Sequence, residues 1–590
     1  MFLKKNISNG RIFLSFVQGY RIDGKVKHKT VEKIGYLDEL EKIYADPIAH
    51  FTSVANERKL AALEERKIEV AVNLRLADNE ASRKNLGYAI PKLIYSLLGI
   101  NIFLQNKQKH LKINYNLNSI FSLLIYNRFL FPSSKKKAFE NRDFFFESYD
   151  FSIDDLYRSL DYFARYSEPL QKYLHEKVRE TIGRNGELGY YDVTNYYFEI
   201  PYNDEDKYDD NGVFVKKGFR RKGPSKEHRP DPIIQMGLLM DSNGIPMAFN
   251  TFSGGESEKT SLLPIIRRVK KDYGMQRIIA VADRGLNTSD NTTFLAGTNN
   301  DDCQNHDGYV YGQSVLSADK EFKAWVLNPD GYIHTKETAK DGEEVIFTHK
   351  SRVYAKTVQL ENRQGKRTSK MTIYQKQMAY YSKKYAEKQK KERELVLAKA
   401  KDLIANPGRY TRATSIGAAG YIKNIKFVKE TGEIPDGINL SLNLEKIAEE
   451  EKYDGYYSIV TSEKNLSDSE IRDIYKGLWE IEESFKIIKS EFRARPVYLR
   501  IENHINAHFL ICFVSLLLLR VLECKLDKKY PVNQIRESLI RYSCSHLDQN
   551  YYLFDYRDEI LQSTERVFGI DLANKIMTTS EIKKILQYYK

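Results

Sequence analysis

Between Ser467 and Arg495, the residues Ile471, Ile474, Leu478, Ile481, Phe485 and Ile488 recur at alternating steps of three and four, the apolar stripe of an amphipathic helix. Ser467 and Glu470 form an S-x-x-E capping box that predicts where this helix starts. Tyr475, Glu482 and Lys489 recur at steps of seven, close to two turns. A continuous helix therefore sets a hydroxyl, a carboxylate and an ammonium in one line beside the apolar face. Such a line suits chemistry on an anion, and its plain alternative is a solvated charged face.

Upstream, the period changes several times. RIFLSFVQGYRI and KVKHKTVEKIGYL are β-rich runs joined by Asp23-Gly24, a hairpin signal. From about residue 55 to 185 the pattern is helical, broken at Pro132-Ser133-Ser134 ahead of Lys135-Lys136-Lys137. ELGYYDVTNYYFEI (187–200) reads as a strand with Asp192 in its middle. IIQMGLLM, the turn Asp241-Ser242-Asn243-Gly244 and IPMAFNTF read as an antiparallel hairpin. A helix over 257–274 follows, then RIIAVAD, a short strand ending at Asp283. Three antiparallel strands, a helix and a fourth strand ending in an acid are the order of the ribonuclease-H-like fold.

Residues from about 290 to 450 interrupt that order with the β-rich pieces FKAWVL, RVYAKTV and KMTIYQ. A charged helix follows from about Gln375 to Ala405, stopped by Asn406-Pro407-Gly408. GYYSIVT (455–461) reads as the fifth strand. The apolar run Phe509 to Leu519 is too short to span a bilayer and reads as a buried helix. The expected fold class is thus α/β, a ribonuclease-H-like core interrupted by a β-rich insertion, with a small N-terminal β unit and a helical accessory domain. The expected divisions are a β unit over 1–50, a helical accessory or DNA-binding region over 51–185, core segments over 186–295 and 451–526, an insertion over 296–450, and a tail over 527–590.

Composition narrows the partner. Lys+Arg 93 against Asp+Glu 80 gives a net charge of +13, which favours a polyanion such as nucleic acid. The cysteines (Cys303, Cys512, Cys524 and Cys544) include no C-x-x-C pair, which argues against a zinc ribbon or a redox motif. The N-terminus carries no apolar signal core, so a cytoplasmic protein with no membrane partner is expected.

Three carboxylates stand out by position: Asp192 within the first core strand, Asp283 at the end of the fourth, and Glu482 on the final helix. Phosphoryl transfer by two Mg²⁺ ions, with Mn²⁺ able to substitute, needs such oxygen ligands and no His or Cys cluster. His504 and His508 stand at i, i+4 without a third ligand and are assigned to structure. The stretch Lys216–Arg229 carries seven Lys/Arg in 14 residues. Arg220, Arg221, Lys222, Lys226 and Arg229 are its candidates for phosphate contact, with glycines letting backbone approach the nucleic acid. A flexible solvated loop is the alternative. Trp479 is a candidate for stacking on a flipped base, although core packing is the favoured expectation.

The spacing Tyr475-x2-Leu478-x3-Glu482-x6-Lys489 resembles the Y-x2-R-x3-E-x6-K signature of DDE transposases from bacterial insertion sequences, in the class with a β-rich insertion between the second Asp and the Glu. YYDVTNYYFE is similar to that family's first-Asp strand and VADRG to its second-Asp motif. GPSKEHRPDPIIQMGLLMDSNGIPM, GKVKHKTVEKIGYL and RPVYLRIENHINAHFLICF follow its layout. The resemblance implies that Asp192, Asp283 and Glu482 hold the metal ions, while Tyr475 and Lys489 contact DNA phosphates. The signature arginine is Leu478 here, with Lys476, Lys486 or Arg493 as substitutes. It further implies a cut-and-paste enzyme that binds terminal inverted repeats and target DNA, acting as a homodimer on paired ends in a bacterial nucleoid. The alternatives are a metal-dependent nuclease of the same fold and a non-catalytic DNA-binding protein derived from a transposase.

Overall fold

The computed structural model describes the chain apart from residues 1, 9, 23–24, 65–82, 185, 224–230, 297–306, 339–343, 362–366, 413, 429–431, 436, 548–549 and 588–590. It divides into two compact units, Met1–Glu80 with Leu547–Asn550, and Ala81–His546 with Tyr551–Lys590. In the first, strands Phe2–Ser8, Arg11–Ile22 and Lys25–Tyr36 form an antiparallel sheet, with a helix over Pro47–Glu64. The pairing of the second and third strands agrees with the sequence pattern; the Asp23-Gly24 turn lies outside the described residues. The first strand has no counterpart in that reading.

The second unit is mixed α/β around a nine-stranded sheet. Its strands are β1 (Leu188–Tyr197), β2 (Ile233–Met240), β3 (Pro246–Ser253), β4 (Ile279–Ala282), β5 (Gly308–Gln313), β6 (Ile333–Thr338), β7 (Glu344–Glu361), β8 (Arg367–Tyr381) and β9 (Tyr456–Thr461). The order across the sheet is β6-β7-β8-β9-β5-β4-β1-β2-β3. β4 runs parallel to β1 and to β5, while every other pair is antiparallel. All eight residues of β2 are buried, as expected for a strand covered on both faces.

One face carries helix α1 (Leu262–Tyr273), whose Leu262, Ile265, Ile266 and Val269 pack with Tyr191, Val193, Ala280 and Ala282. The other face carries α2 (Asp468–Lys476), α3 (Trp479–Lys486) and α4 (Glu502–Lys525), together with helices from the 89–182 region. α4 is apolar all round, and residues from Phe509 to Leu522 are buried without interruption. By length and composition it could cross a membrane, but 94% of its most apolar window is buried inside the fold. Each fully buried Leu, Ile or Phe on it contributes roughly 1.5–3 kcal/mol by removal from water, which makes α4 the rod that the other helices pack against.

Four details depart from the sequence pattern. FKAWVL is helical, within Lys320–Leu327, because Asp319 caps it by accepting from Phe322 N–H at 2.8 Å. The charged helix begins at Lys383 rather than near Gln375, since Gln375–Tyr381 completes β8. The strand beside β4 is β5, Gly308–Gln313, which the pattern left inside the insertion; GYYSIVT is β9, one place further out and antiparallel. The Ser467–Arg495 stretch is also not one helix.

Candidate functional site

Alternation along β1 sends Tyr191 and Val193 toward α1 and Tyr190 and Tyr196 toward the α2–α4 face, so Asp192 belongs to the latter face. On β4, Ile279 and Val281 point to that same face while Ala280 and Ala282 point away, so the next residue, Asp283, joins Asp192. The two acids lie 91 residues apart in the chain. That is also the register offset of the strands, since Ile279 pairs with Leu188 and Val281 with Tyr190. Carrying the register two residues further sets Asp283 opposite Asp192. Asp283 is exposed and caps the turn that follows β4, accepting from Arg284 N–H at 2.6 Å.

The helix bearing the third acid lies on this face. The predicted capping box is present, with both Ser467 and Glu470 bonds made. α2 then ends, because the Tyr190 hydroxyl donates to the Ile474 carbonyl at 3.0 Å. Leu478 N–H, which an unbroken helix would aim at that carbonyl, bonds to Tyr475 O instead at 3.2 Å. Gly477 lies flat on the Tyr190 ring: a Cβ there would stand 2.4 Å from the Tyr190 hydroxyl. α3 restarts at Trp479 and gives way to a π-helical turn over Ile487–Glu491. The expected straight line of Tyr475, Glu482 and Lys489 is corrected accordingly, since a tightened turn precedes Glu482 and a widened one holds Lys489.

Tyr475 joins the acids. Its hydroxyl donates to Asp283 Oδ1 at 3.4 Å. Burial first, and then the charges of Asp283 and Glu482, hold its pKa far above the ordinary tyrosine value, while Arg284 opposes them. Tyr475 therefore stays a protonated donor, and its partner here is a carboxylate rather than open solvent. Glu482 is exposed on α3. Among the described residues no three His, Cys, Asp or Glu side chains are drawn close enough to cage an ion. The three acids offer hard oxygen donors on one face without a closed cluster.

The remaining candidates separate. Lys486 is exposed, and Lys489 is half-buried with its ammonium 5.7 Å from the Tyr196 ring centre. Trp479 is 57% exposed, which overturns core packing as its role. Leu478 packs partly against the main core. Arg220 is bound to Asp204 through Nη2 at 2.6 Å and Nε at 2.9 Å, and Arg221 pairs with Asp206. A Cβ on Gly218 would strike the Asp204 carbonyl at 2.1 Å. The glycine thus admits the chain's own backbone, and the segment up to Lys222 is a folded clasp rather than a free loop. Lys222 itself is exposed; Lys226 and Arg229 lie outside the described residues. His508 sits between Lys135 Nζ (2.8 Å, on Nδ1) and the Ala494 carbonyl (3.2 Å, on Nε2), a structural role as expected.

Sequence reasoning passed over Arg284 and Tyr190. Arg284 follows Asp283 directly in VADRG and Tyr190 stands two residues before Asp192, on the same strand face, in YYDV; that proximity was the available signal. Arg284, Asp283, Gln313, Tyr385, Tyr456 and Tyr475 line a cleft of about 270 Å³ next to the second acid.

Comparison with known families gives two matches. The N-terminal domain of IS1634 family transposases matches residues 3–67, and the transposase DDE domain matches residues 213–518, more than half of the chain. The second span includes Asp283 and Glu482 and begins after Asp192. No curated protein matches. Among solved structures, the Mos1 transposase paired-end complex with left transposon end aligns at 8% identity over 42% of this chain and 67% of that one. Its TM-score of 0.11 is too low to bear on the fold.

Proposed function

We propose, from the premise that this chain belongs to the DDE transposase family, that it is a metal-dependent DNA strand-transfer enzyme with a ribonuclease-H-like core. Support for the core is the run β3-β2-β1-β4-β5, three antiparallel strands followed by two parallel ones. The observation that carries the reading is the β1–β4 register, whose extension by two residues sets Asp283 opposite Asp192 on the face covered by the Glu482 helix.

Asp192, Asp283 and Glu482 would hold two Mg²⁺ ions, for which all-oxygen donors are suited. When bound, the ions supply charge neutralisation and Lewis acidity at a phosphodiester. The chain's own groups have separate duties. Tyr475 donates to Asp283 and keeps that carboxylate oriented. Arg284, Lys486 and Lys489 bring positive charge beside the acids, where each neutralised phosphate strengthens binding in a salt-dependent way. Trp479 presents an open aromatic surface at the start of α3. No covalent intermediate on the protein is required. The substrate is the terminal inverted repeats of the element, with target DNA as acceptor, and a homodimer on paired ends is the economical assembly.

The test uses purified protein, linear DNA carrying the flanks of its own gene, a target plasmid and Mg²⁺ or Mn²⁺, with Glu482→Gln alongside. End cleavage and joining to the plasmid by wild type alone supports the proposal. Cleavage without joining would make the protein a nuclease. Binding without metal-dependent cutting in either sample would leave a DNA-binding relic.

A further inference from the structure

α3 is a two-turn helix joined at each end to an irregular helical turn: three-residue bonds across Gly477 and Leu478 precede it and the π turn follows it. It carries the third acid, exposed on its surface, and the regular α-helical ladder is interrupted on both sides of it. Its apolar side is set by Ile481 and Phe485 in the core, with Leu478 before it and Ile487 and Ile488 after it packed in the same cluster. A polar element on the neighbouring helix adds to that register.

That element is Arg520 of α4. It is only 5% exposed, and its planar fork reaches both sides of Glu482 along α3. Nη2 donates to the Glu480 carbonyl at 3.3 Å, to Ser484 Oγ at 2.8 Å and to Glu483 Oε2 at 2.9 Å. Nε reaches Ser484 Oγ at 3.3 Å, and Nη1 is held from behind by Glu523 at 2.9 Å. Ser484 closes the ring by donating to the Glu480 carbonyl at 2.8 Å. A pair serving only to neutralise charge would need Glu523 alone. Contacts to a main-chain carbonyl at 480 and a hydroxyl at 484 instead fix the turn on which 482 stands. Lys528 braces the same turn at the Glu480 carboxylate, at 2.8 Å.

We propose that Arg520 is a positioning residue for Glu482, acting through α3 without touching DNA or metal. The inference rests on the metal-binding role assigned to Glu482. Lysine preserves the charge but has no fork, so it can hold Glu483 or Ser484 but not the whole set. Removal of a supporting contact behind a ligand typically costs 10- to 100-fold in metal affinity.

The experiment compares wild type, Arg520→Lys, Glu482→Gln and the double variant, all in a Trp325→Phe background so that Trp479 on α3 is the sole tryptophan. Mn²⁺ binding is followed by electron paramagnetic resonance, α3 order by Trp479 fluorescence anisotropy and acrylamide quenching, folding by urea unfolding, and DNA-end binding by mobility shift. Arg520→Lys is expected to weaken Mn²⁺ binding about 10-fold, to lower Trp479 anisotropy, and to leave DNA-end binding within about 2-fold. In the double variant it should add nothing to the loss from Glu482→Gln. Wild-type Mn²⁺ affinity in Arg520→Lys overturns the proposal, as does a loss that adds in full to that of Glu482→Gln. If wild type binds Mn²⁺ through Glu482 but neither cuts nor joins DNA, the strand-transfer reading fails while the positioning result stands. If wild type binds no Mn²⁺, both fall.

Discussion

Gly477 offers a test in which the sequence alone and the structure give opposite signs. In an ordinary helix interior, Gly→Ala gains about 1 kcal/mol. Nothing in the backbone forbids it here, since Gly477 has φ −58° and ψ −13°. The obstacle is steric. An added Cβ would sit 2.4 Å from the Tyr190 hydroxyl, 2.6 Å from Cζ and 2.7 Å from Cε1, against roughly 3.5–4.0 Å for a comfortable contact. The ring must retreat by about 1 Å, but Tyr190 is only 7% exposed and its hydroxyl is bonded to Ile474 O. Overpacking of this kind costs about 1–3 kcal/mol, and loss of the hydrogen bond adds about 1 kcal/mol. Against the propensity gain, Gly477→Ala should lose about 1–3 kcal/mol net. Urea unfolding followed by tryptophan fluorescence is a direct assay, because Trp479 lies two residues away. Tyr190→Leu in the same background should remove most of the penalty, giving a coupling energy in a double-mutant cycle. An unfolding midpoint at or above wild type in Gly477→Ala would refute the account of the helix break.

Two further outcomes follow from other sites. The Lys135 ammonium is buried, and burial first, then the Arg128 charge, push its pKa from 10.5 down to about 7. The unfolded chain therefore holds that proton to higher pH than the folded one. The cost of the buried charge is present in full below pH 7 and is relieved as pH rises toward 10.5. Lys135→Met should raise the urea midpoint relative to wild type at pH 6 and give a smaller advantage at pH 9; an equal shift at both would contradict the assignment. Trp479→Ala should leave the unfolding free energy within about 0.5 kcal/mol, as for a surface residue, while weakening DNA-end binding by about 1–3 kcal/mol if the ring stacks on a base. Mobility shifts that are unchanged would remove Trp479 from the interface.

What could be seen in the chain beforehand depended on how local its cause was. The capping box at Ser467 and the hairpin across Asp241–Gly244 follow from residues within four positions of one another, and both are present. FKAWVL is an apolar window too short to separate strand from helix by period, and the deciding signal, the Asp319 cap, lies outside it. GYVYGQ was hidden because its partners are β4 and the distant β9, pairings that no local pattern encodes. The break in the Glu482 helix has a still more remote origin, a tyrosine hydroxyl 284 residues away. Of the candidate site, Asp192 was legible within a strand, Asp283 at a strand end and Glu482 on a helix face. The pairing of Arg220 and Arg221 with Asp204 and Asp206 was not, since a basic run looks the same whether it faces solvent or its own carboxylates.

The place where the chain leaves and re-enters the sheet explains how a site can span such distances. β5 ends at Gln313 and β9 begins at Tyr456, and the two pair directly, Gln313 with Ser458 and Val310 with Thr461. All of the intervening chain is hung outside this pair, with β8 continuing the sheet on the far side of β9. The excursion therefore starts and finishes at neighbouring points of a rigid ladder. Its length enters the free energy only through loop closure, which grows by about 0.6 kcal/mol per doubling. Once β9 is zipped between β5 and β8, α2 must start at a fixed point above β4 and β5. Tyr475 then meets Asp283 at 3.4 Å although 192 residues separate them. The excursion's own strands also hold α2: Asp468 pairs with Lys376 of β8 at 2.7 Å and with His349 of β7 at 3.1 Å, and the Tyr380 hydroxyl donates to the Asp468 carbonyl at 3.1 Å, so the part of the insertion nearest β9 helps to set where Tyr475 stands.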